Sequence, residues 1–200
     1  MPKALYQKYR PQRWAELTDQ NAIKITLTNQ LMRGEVAQAY LLVGPRGVGK
    51  TTTARLLAKS VNCLNRKEGE AEPCNSCEVC ISIQNGNSLD VMEIDAASHT
   101  GVDHVRETIL EGAQVTAGTA KHRIYIIDEV HMLSVSAFNA MLKILEEPPA
   151  HVIFILATTE AHKVPLTIIS RCQRFDFRQV SSDAIRTRLA MICASEKVTI

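Results

Sequence analysis

Apolar residues in this chain gather into four short runs, each followed by residues able to do chemistry. Residues 40–43, 91–94, 123–127 and 152–156 are rich in β-branched, aromatic and leucine side chains. Short runs with little polar alternation predict strands buried on both faces, as in a parallel sheet. Between them the apolar spacing lengthens to a helical period. Residues 51–59 predict a helix directly after the first run. Ser134 predicts the cap of a helix carrying Val135, Phe138, Met141, Leu142 and Leu145 on one side, stopped by Pro148-Pro149. Strands alternating with helices predict an α/β fold, a parallel sheet with helices on both faces. A last stretch, Ser182 to Ile192, reads as a capped amphipathic helix with Ile185, Leu189 and Ile192 on one stripe. It opens a new unit with nothing after it to pack on, which predicts that these 200 residues are part of a longer protein.

Composition narrows the classes. The 46% apolar content supports a sizeable core, and a net charge of +2 lacks the basic excess of a nucleic-acid coat. No apolar run approaches the roughly 18 residues needed to span a membrane. Met1-Pro2-Lys3-Ala4 opens no signal-peptide pattern, so a cytoplasmic address with reduced thiols is expected.

The chemistry begins at the end of the first run. Gly44-Pro45-Arg46-Gly47-Val48-Gly49-Lys50-Thr51 has the phosphate-binding-loop spacing, strand before and helix after. Glycines let the backbone curl its N–H groups onto an anion, and the helix N-terminus adds partial positive charge. These eight residues with Thr52 predict the ATP site. Lys50 is expected to reach the β- and γ-phosphates, and Thr51 to ligate Mg²⁺. The third run ends in Asp128-Glu129, at the strand end where such sheets bind ligands. Asp128 is expected to hold Mg²⁺ through water and Glu129 to polarise the attacking water. After the fourth run, Thr158 or Thr159 can aim a hydroxyl at the γ-phosphate, and Thr159 is taken as the site residue.

Cys63, Cys74, Cys77 and Cys80 read C-x10-C-x2-C-x2-C. Four thiolates at that spacing predict a closed, structural Zn²⁺ site in an insertion of about residues 63–80. An iron–sulfur cluster is the rival, disfavoured because no Pro follows the last Cys. A DNA-binding zinc finger fits poorly, since Arg66 and Lys67 are offset by Glu68, Glu70 and Glu72. Cys172 and Cys193 read as ordinary small apolar residues.

With these motifs in place, the chain resembles the gamma/tau family of bacterial DNA polymerase III subunits, clamp-loader AAA+ ATPases. The matching stretches are 8–11 (Lys-Tyr-Arg-Pro), 44–51, the four cysteines, 93–98 (Glu-Ile-Asp-Ala-Ala-Ser), 127–132 (Ile-Asp-Glu-Val-His-Met), 145–149 (Leu-Glu-Glu-Pro-Pro), 156–159 (Leu-Ala-Thr-Thr) and 170–172 (Ser-Arg-Cys). One departure is Asp19-Gln20, where the family usually has Gly-Gln near the expected adenine pocket. The resemblance implies an AAA+ P-loop module over residues 1–179 and the start of a helical lid over 180–200. It implies ATP, Mg²⁺ and Zn²⁺ as cofactors. It implies other clamp-loader subunits, a sliding clamp and primer-template DNA as partners, without a membrane. It also implies that Arg171 of the Ser-Arg-Cys triplet serves a neighbouring subunit's nucleotide as an arginine finger. Two rival functions are a catalytically silent, stator-like subunit, which has no use for Lys50, Thr51 and Glu129 together, and a small-molecule kinase, disfavoured by the Asp128-Glu129 pair.

Overall fold

In a computed structural model, residues 4–98, 109 and 112–198 are described. The readings of Met1-Pro2-Lys3 and of the last two residues lie outside them. Among the described residues the sheet has five strands: β1 (Ala39–Val43), β2 (Val91–Asp95), β3 (Arg123–Asp128), β4 (Val152–Thr158) and β5 (Gln173–Asp176). Their order is β2-β3-β4-β1-β5, and all four pairings are parallel. The four runs read from the sequence are thus strands, extended by a residue or two. β5 is the addition. Only Phe175 of its four residues is buried, so no apolar run marks it.

Side chains of the strands alternate between two cores. Leu41, Tyr125, Ile127, Phe154 and Leu156 face one layer, and Tyr40, Leu42, Ile124, Ile126, Ile153 and Ile155 face the other. Both faces are therefore dry, which explains runs without polar alternation. Among the described residues the α-helices are α1 (Leu5–Lys8), α2 (Asn21–Arg33), α3 (Lys50–Asn62), α4 (Glu78–Asn85), α5 (Gly112–Gln114), α6 (Val135–Glu146), α7 (Leu166–Ile169) and α8 (Ser182–Glu196).

α6 covers the first layer. Ser134 Oγ accepts from the Ala137 N–H at 3.2 Å, as its position predicts, a cap worth about 1 kcal/mol. Phe138, Met141 and Leu145 are buried, but Val135 is 76% exposed. It sits at the first helical position and points out to solvent, correcting its place on the buried stripe. α2 and α3 cover the second layer. Leu27 and Leu31 of α2 are fully buried, worth about 1.5–3 kcal/mol each. α8 is capped by Ser181, whose Oγ accepts from the Ala184 N–H at 3.3 Å, rather than by Ser182. None of its residues is buried. No described helix is long and apolar enough to cross a membrane.

Candidate nucleotide site and four-cysteine centre

The loop from Gly44 to Gly49 leaves β1 and enters α3 at the carboxyl edge of the sheet. Its first glycine is dictated by space: a Cβ there would stand 2.7 Å from Phe177 Cβ and 2.8 Å from the Phe177 carbonyl oxygen. Its last, Gly49, caps α3 at φ 101°, in the left-handed region that side chains avoid. The Gly44 N–H donates to the Thr158 carbonyl at 3.1 Å, so the loop is tied to the end of β4.

Lys50 begins α3 and is nearly buried. Its Nζ donates to the Gly44 and Pro45 carbonyls at 2.7 and 2.8 Å. Burial lowers its pKa, Glu129 and Asp128 pull it back up, and Arg46 lowers it further. Thr51 Oγ1 donates to Asp128 Oδ2 at 2.7 Å. The two residues read separately as Mg²⁺ ligands are therefore hydrogen-bonded, a hydroxyl and a carboxylate suited to a hard cation.

Glu129 lies just beyond β3, not within it, in the left-handed conformation at φ 48°. That turn throws its carboxylate across the cleft. Arg46 Nε donates to Glu129 Oε1 at 3.1 Å, and Thr159 Oγ1 donates to Oε2 at 3.1 Å. His131 Nδ1 is 3.4 Å from the same Oε2. Burial raises the Glu129 pKa, but the Thr159 and Arg46 hydrogen bonds and the His131 and Arg46 charges outweigh it and leave the carboxyl below its usual value. Thr159 thus belongs to the site through Glu129. Thr158 is turned away: its Oγ1 accepts from the Glu160 N–H and lies 3.0 Å from His131 Nδ1.

A cleft of about 460 Å³ joins these groups, lined by Arg46, Gly47, Gly49, Lys50, Thr51, Thr52, Asp128 and Glu129. Its opposite wall is Tyr6, Tyr9, Arg10 and Pro11. A second cleft of about 690 Å³ continues from it, sharing Tyr6, Arg10 and Pro11 and adding Arg55 and Lys59. In the sequence alone, neither residues 8–11 nor His131 carries a mark of these positions. Tyr9 and Arg10 are adjacent in the chain, but only the fold brings them opposite the loop.

Three residues lie elsewhere. Asp19 and Gln20, placed near an adenine pocket by resemblance, line neither cleft. Both adopt positive φ, and they clasp the chain leading to α8. Asp19 Oδ2 accepts from Ser181 N–H at 2.8 Å, and Gln20 Nε2 donates to the Arg178 carbonyl at 2.6 Å. Arg171 follows α7, where it donates to Glu146 Oε1 and to the Thr167 carbonyl, both at 2.7 Å. The chain's own Lys50, Thr51, Asp128 and Glu129 are not among its partners.

The four cysteines converge. Cys63 closes α3, Cys77 caps α4, and all four Sγ atoms lie within 4.8 Å of one another. Backbone N–H groups of Cys74, Ser76, Cys77 and Cys80 donate to sulfurs at 3.2–3.4 Å, contacts that favour thiolates. Burial raises the Cys74 pKa, yet the hydrogen bonds around it win and bring it down to about 5. Burial among the neighbouring sulfurs holds Cys80 above its ordinary value. Two 2.3 Å metal–sulfur bonds at a tetrahedral angle place sulfurs about 3.8 Å apart, so this donor set fits one metal ion. The loop between is better anchored than its composition suggests. Arg66 bonds to the Ser60, Leu31 and Glu70 carbonyls, so it does not offer its charge to nucleic acid.

A parallel sheet with this loop, its lysine and a strand-end acid pair defines a P-loop nucleotide-binding protein of the AAA+ class. Thermotoga maritima RuvB, a Holliday junction branch migration motor, shares the fold at a TM-score of 0.64 and 18% identity, over 95% of this chain and 55% of that one. The chain belongs to the DNA polymerase III, delta subunit family, whose model matches residues 19–181. Over nearly its whole length it is similar to the DNA polymerase III subunit tau of Bacillus subtilis (strain 168), 52% identical over 198 residues, 99% of this chain and 35% of the relative. It is also 43% identical to the gamma/tau subunit of Mycoplasma pneumoniae, over 100% of this chain and 29% of the relative. The chain therefore spans about a third of the length of these relatives.

Proposed function

We propose that this chain is the ATPase module of a DNA polymerase III clamp-loader subunit, coupling ATP binding and hydrolysis to the loading of a sliding clamp onto primed DNA. The observation that carries the reading is the Thr51–Asp128 contact, with Lys50 and Glu129 facing the same cleft. In it the loop N–H groups and Lys50 bind the triphosphate. Thr51 and Asp128 hold Mg²⁺, which when bound neutralises developing charge. Glu129 accepts a proton from the attacking water, and Thr159 and His131 orient its carboxylate. Arg171 serves a neighbouring subunit, so other clamp-loader subunits, the clamp and primer-template DNA are its partners, in the cytoplasm. Residues 1–179 form the nucleotide module and 180–200 begin a helical lid, consistent with an α8 that buries no residue.

Glu129→Gln tests this mechanism. The amide keeps the shape and can still accept from Thr159, but it is no base. Nucleotide binding should persist while turnover in the assembled complex falls by about 10²-fold. Normal turnover would move the water-activating role to another residue.

The four-cysteine centre is assigned to structural zinc. A closed four-sulfur site leaves no position for reacting water, and sulfurs this close suit a single ion better than an interposed iron–sulfur cluster. Metal analysis of the purified protein should find one zinc per chain, lost in Cys77→Ser. Iron with visible absorbance, or no metal, would contradict the assignment.

A further inference from the structure

The four-cysteine insertion and the nucleotide cleft touch the same short stretch of chain. Residues 12–15 follow Pro11, which lines the cleft, and contain the core residue Trp14, with the buried Leu17 just beyond. Four independent hydrogen-bond sets grip this stretch. Asn75, which stands between the ligands Cys74 and Cys77 at φ 58°, donates from Nδ2 to the Gln12 carbonyl at 3.0 Å. Glu72, two residues before Cys74, accepts from the Trp14 and Ala15 N–H groups at 3.0 and 3.1 Å. Lys59 lies one helical turn before Cys63 on α3, 2% exposed, and its Nζ donates to Gln12 Oε1 at 2.7 Å. Trp14 Nε1 donates to Ser60 Oγ at 2.9 Å.

The relay continues to the cleft. Gln12 Nε2 donates to the Arg10 carbonyl at 3.0 Å, and Arg10 lines the wall opposite the phosphate loop. One side chain therefore connects a buried ammonium beside the cysteine centre to the backbone of the nucleotide wall. Lys59 is also the natural charge partner of that centre. Four thiolates around a divalent ion leave a net double negative charge; burial lowers the Lys59 pKa, and Cys80, Glu16, Cys63 and Cys74 pull it part of the way back up.

We propose that the metal centre and the nucleotide site are thermodynamically coupled through residues 10–15, with Gln12, Lys59, Asn75 and Glu72 as positioning residues. A bound metal fixes Cys74 and Cys77, hence Asn75 and Glu72, hence the wall that nucleotide contacts. Nucleotide in turn orders the same wall. Each ligand thus meets a segment the other has already ordered, and such coupling is reciprocal by linkage. The insertion is then a brace for the ATP site, which accounts for its attachment to the end of the P-loop helix. The inference rests on the nucleotide-binding reading of the cleft.

Gln12→Ala separates the cases, because it removes the relay and leaves all four cysteines, Lys50 and Glu129 in place. With the intact protein, zinc content is measured alongside titration with a fluorescent ATP analogue. The variant should keep one zinc per chain and bind the analogue about fivefold more weakly, the low end of typical coupling. In the reciprocal experiment, EDTA should strip zinc from the parent at a higher concentration when the analogue is saturating. That protection should shrink in Gln12→Ala and vanish in Lys50→Ala. A parent whose zinc retention is identical with and without the analogue overturns the coupling, as does undiminished analogue affinity in zinc-replete Gln12→Ala. A parent that binds no analogue at all overturns the nucleotide-site reading instead.

Discussion

Lys50→Ala is expected to abolish ATP binding. Lys50 is the one side chain of the loop whose cation is nearly buried, and it is held between Asp128 and Glu129 on one side and the loop carbonyls on the other. An ammonium already desolvated loses little more hydration when it meets phosphate, so its attraction to a triphosphate is strong. Alanine leaves the N–H groups of the loop facing that charge with two carboxylates nearby and, in place of the buried ammonium, Arg46, whose charge is already paired with Glu129. The folded state should tolerate the change. The Gly44 and Pro45 carbonyls lose their donor, at a cost of about 1–3 kcal/mol if they stay dry and less as water reaches the cleft. Titration with a fluorescent ATP analogue measures the effect, and thermal melting checks the fold. Unchanged affinity in a folded variant would remove the nucleotide assignment.

Arg171→Ala should bind ATP like the parent and fail only in the assembled complex. Its present partners, Glu146 and the Thr167 carbonyl, are on its own surface, and its side chain is 33% exposed. An exposed pair of this kind is worth about 0–1 kcal/mol, so the guanidinium is free to exchange it for a neighbour's γ-phosphate. There it would stabilise charge developing in transfer, and its loss should lower turnover about 10³-fold or more. Mixed assemblies decide whose site suffers. An Arg171→Ala subunit should hydrolyse ATP when an intact neighbour presents its own Arg171. A defect that stays with the mutant's own site in every mixture would place the arginine in cis.

Those elements legible in the sequence are the ones whose burial is one-dimensional. Residues 40–43, 124–127 and 152–156 are apolar because both faces of a strand are covered, and the loop spacing is read directly from its glycines and Lys50-Thr51. α2 was not read. Its buried Ile23, Leu27 and Leu31 are spaced every four residues among Thr, Asn, Lys and Gln, a narrow stripe with little contrast. β5 escaped because it is an edge strand whose Gln173, Arg174 and Asp176 face polar surroundings. Nothing in the sequence distinguishes Lys59 from other basic residues near a helix end. Only the fold brings Gln12, from 47 positions away, onto it. Glu129 was read as the strand's last carboxylate. Its left-handed backbone, which presents it to Arg46 and Thr159, has no marker in sequence, since non-glycine residues rarely adopt it.

The central claim is that ATP turnover at this cleft is spent on placing a clamp on primed DNA. Its most direct test is steady-state ATP hydrolysis by the assembled complex, measured alone, with sliding clamp, and with clamp plus primer-template DNA. Turnover should rise when both are present and should disappear in complexes carrying Lys50→Ala. A rate indifferent to clamp and DNA, and raised instead by a small phosphoryl acceptor, would contradict the account.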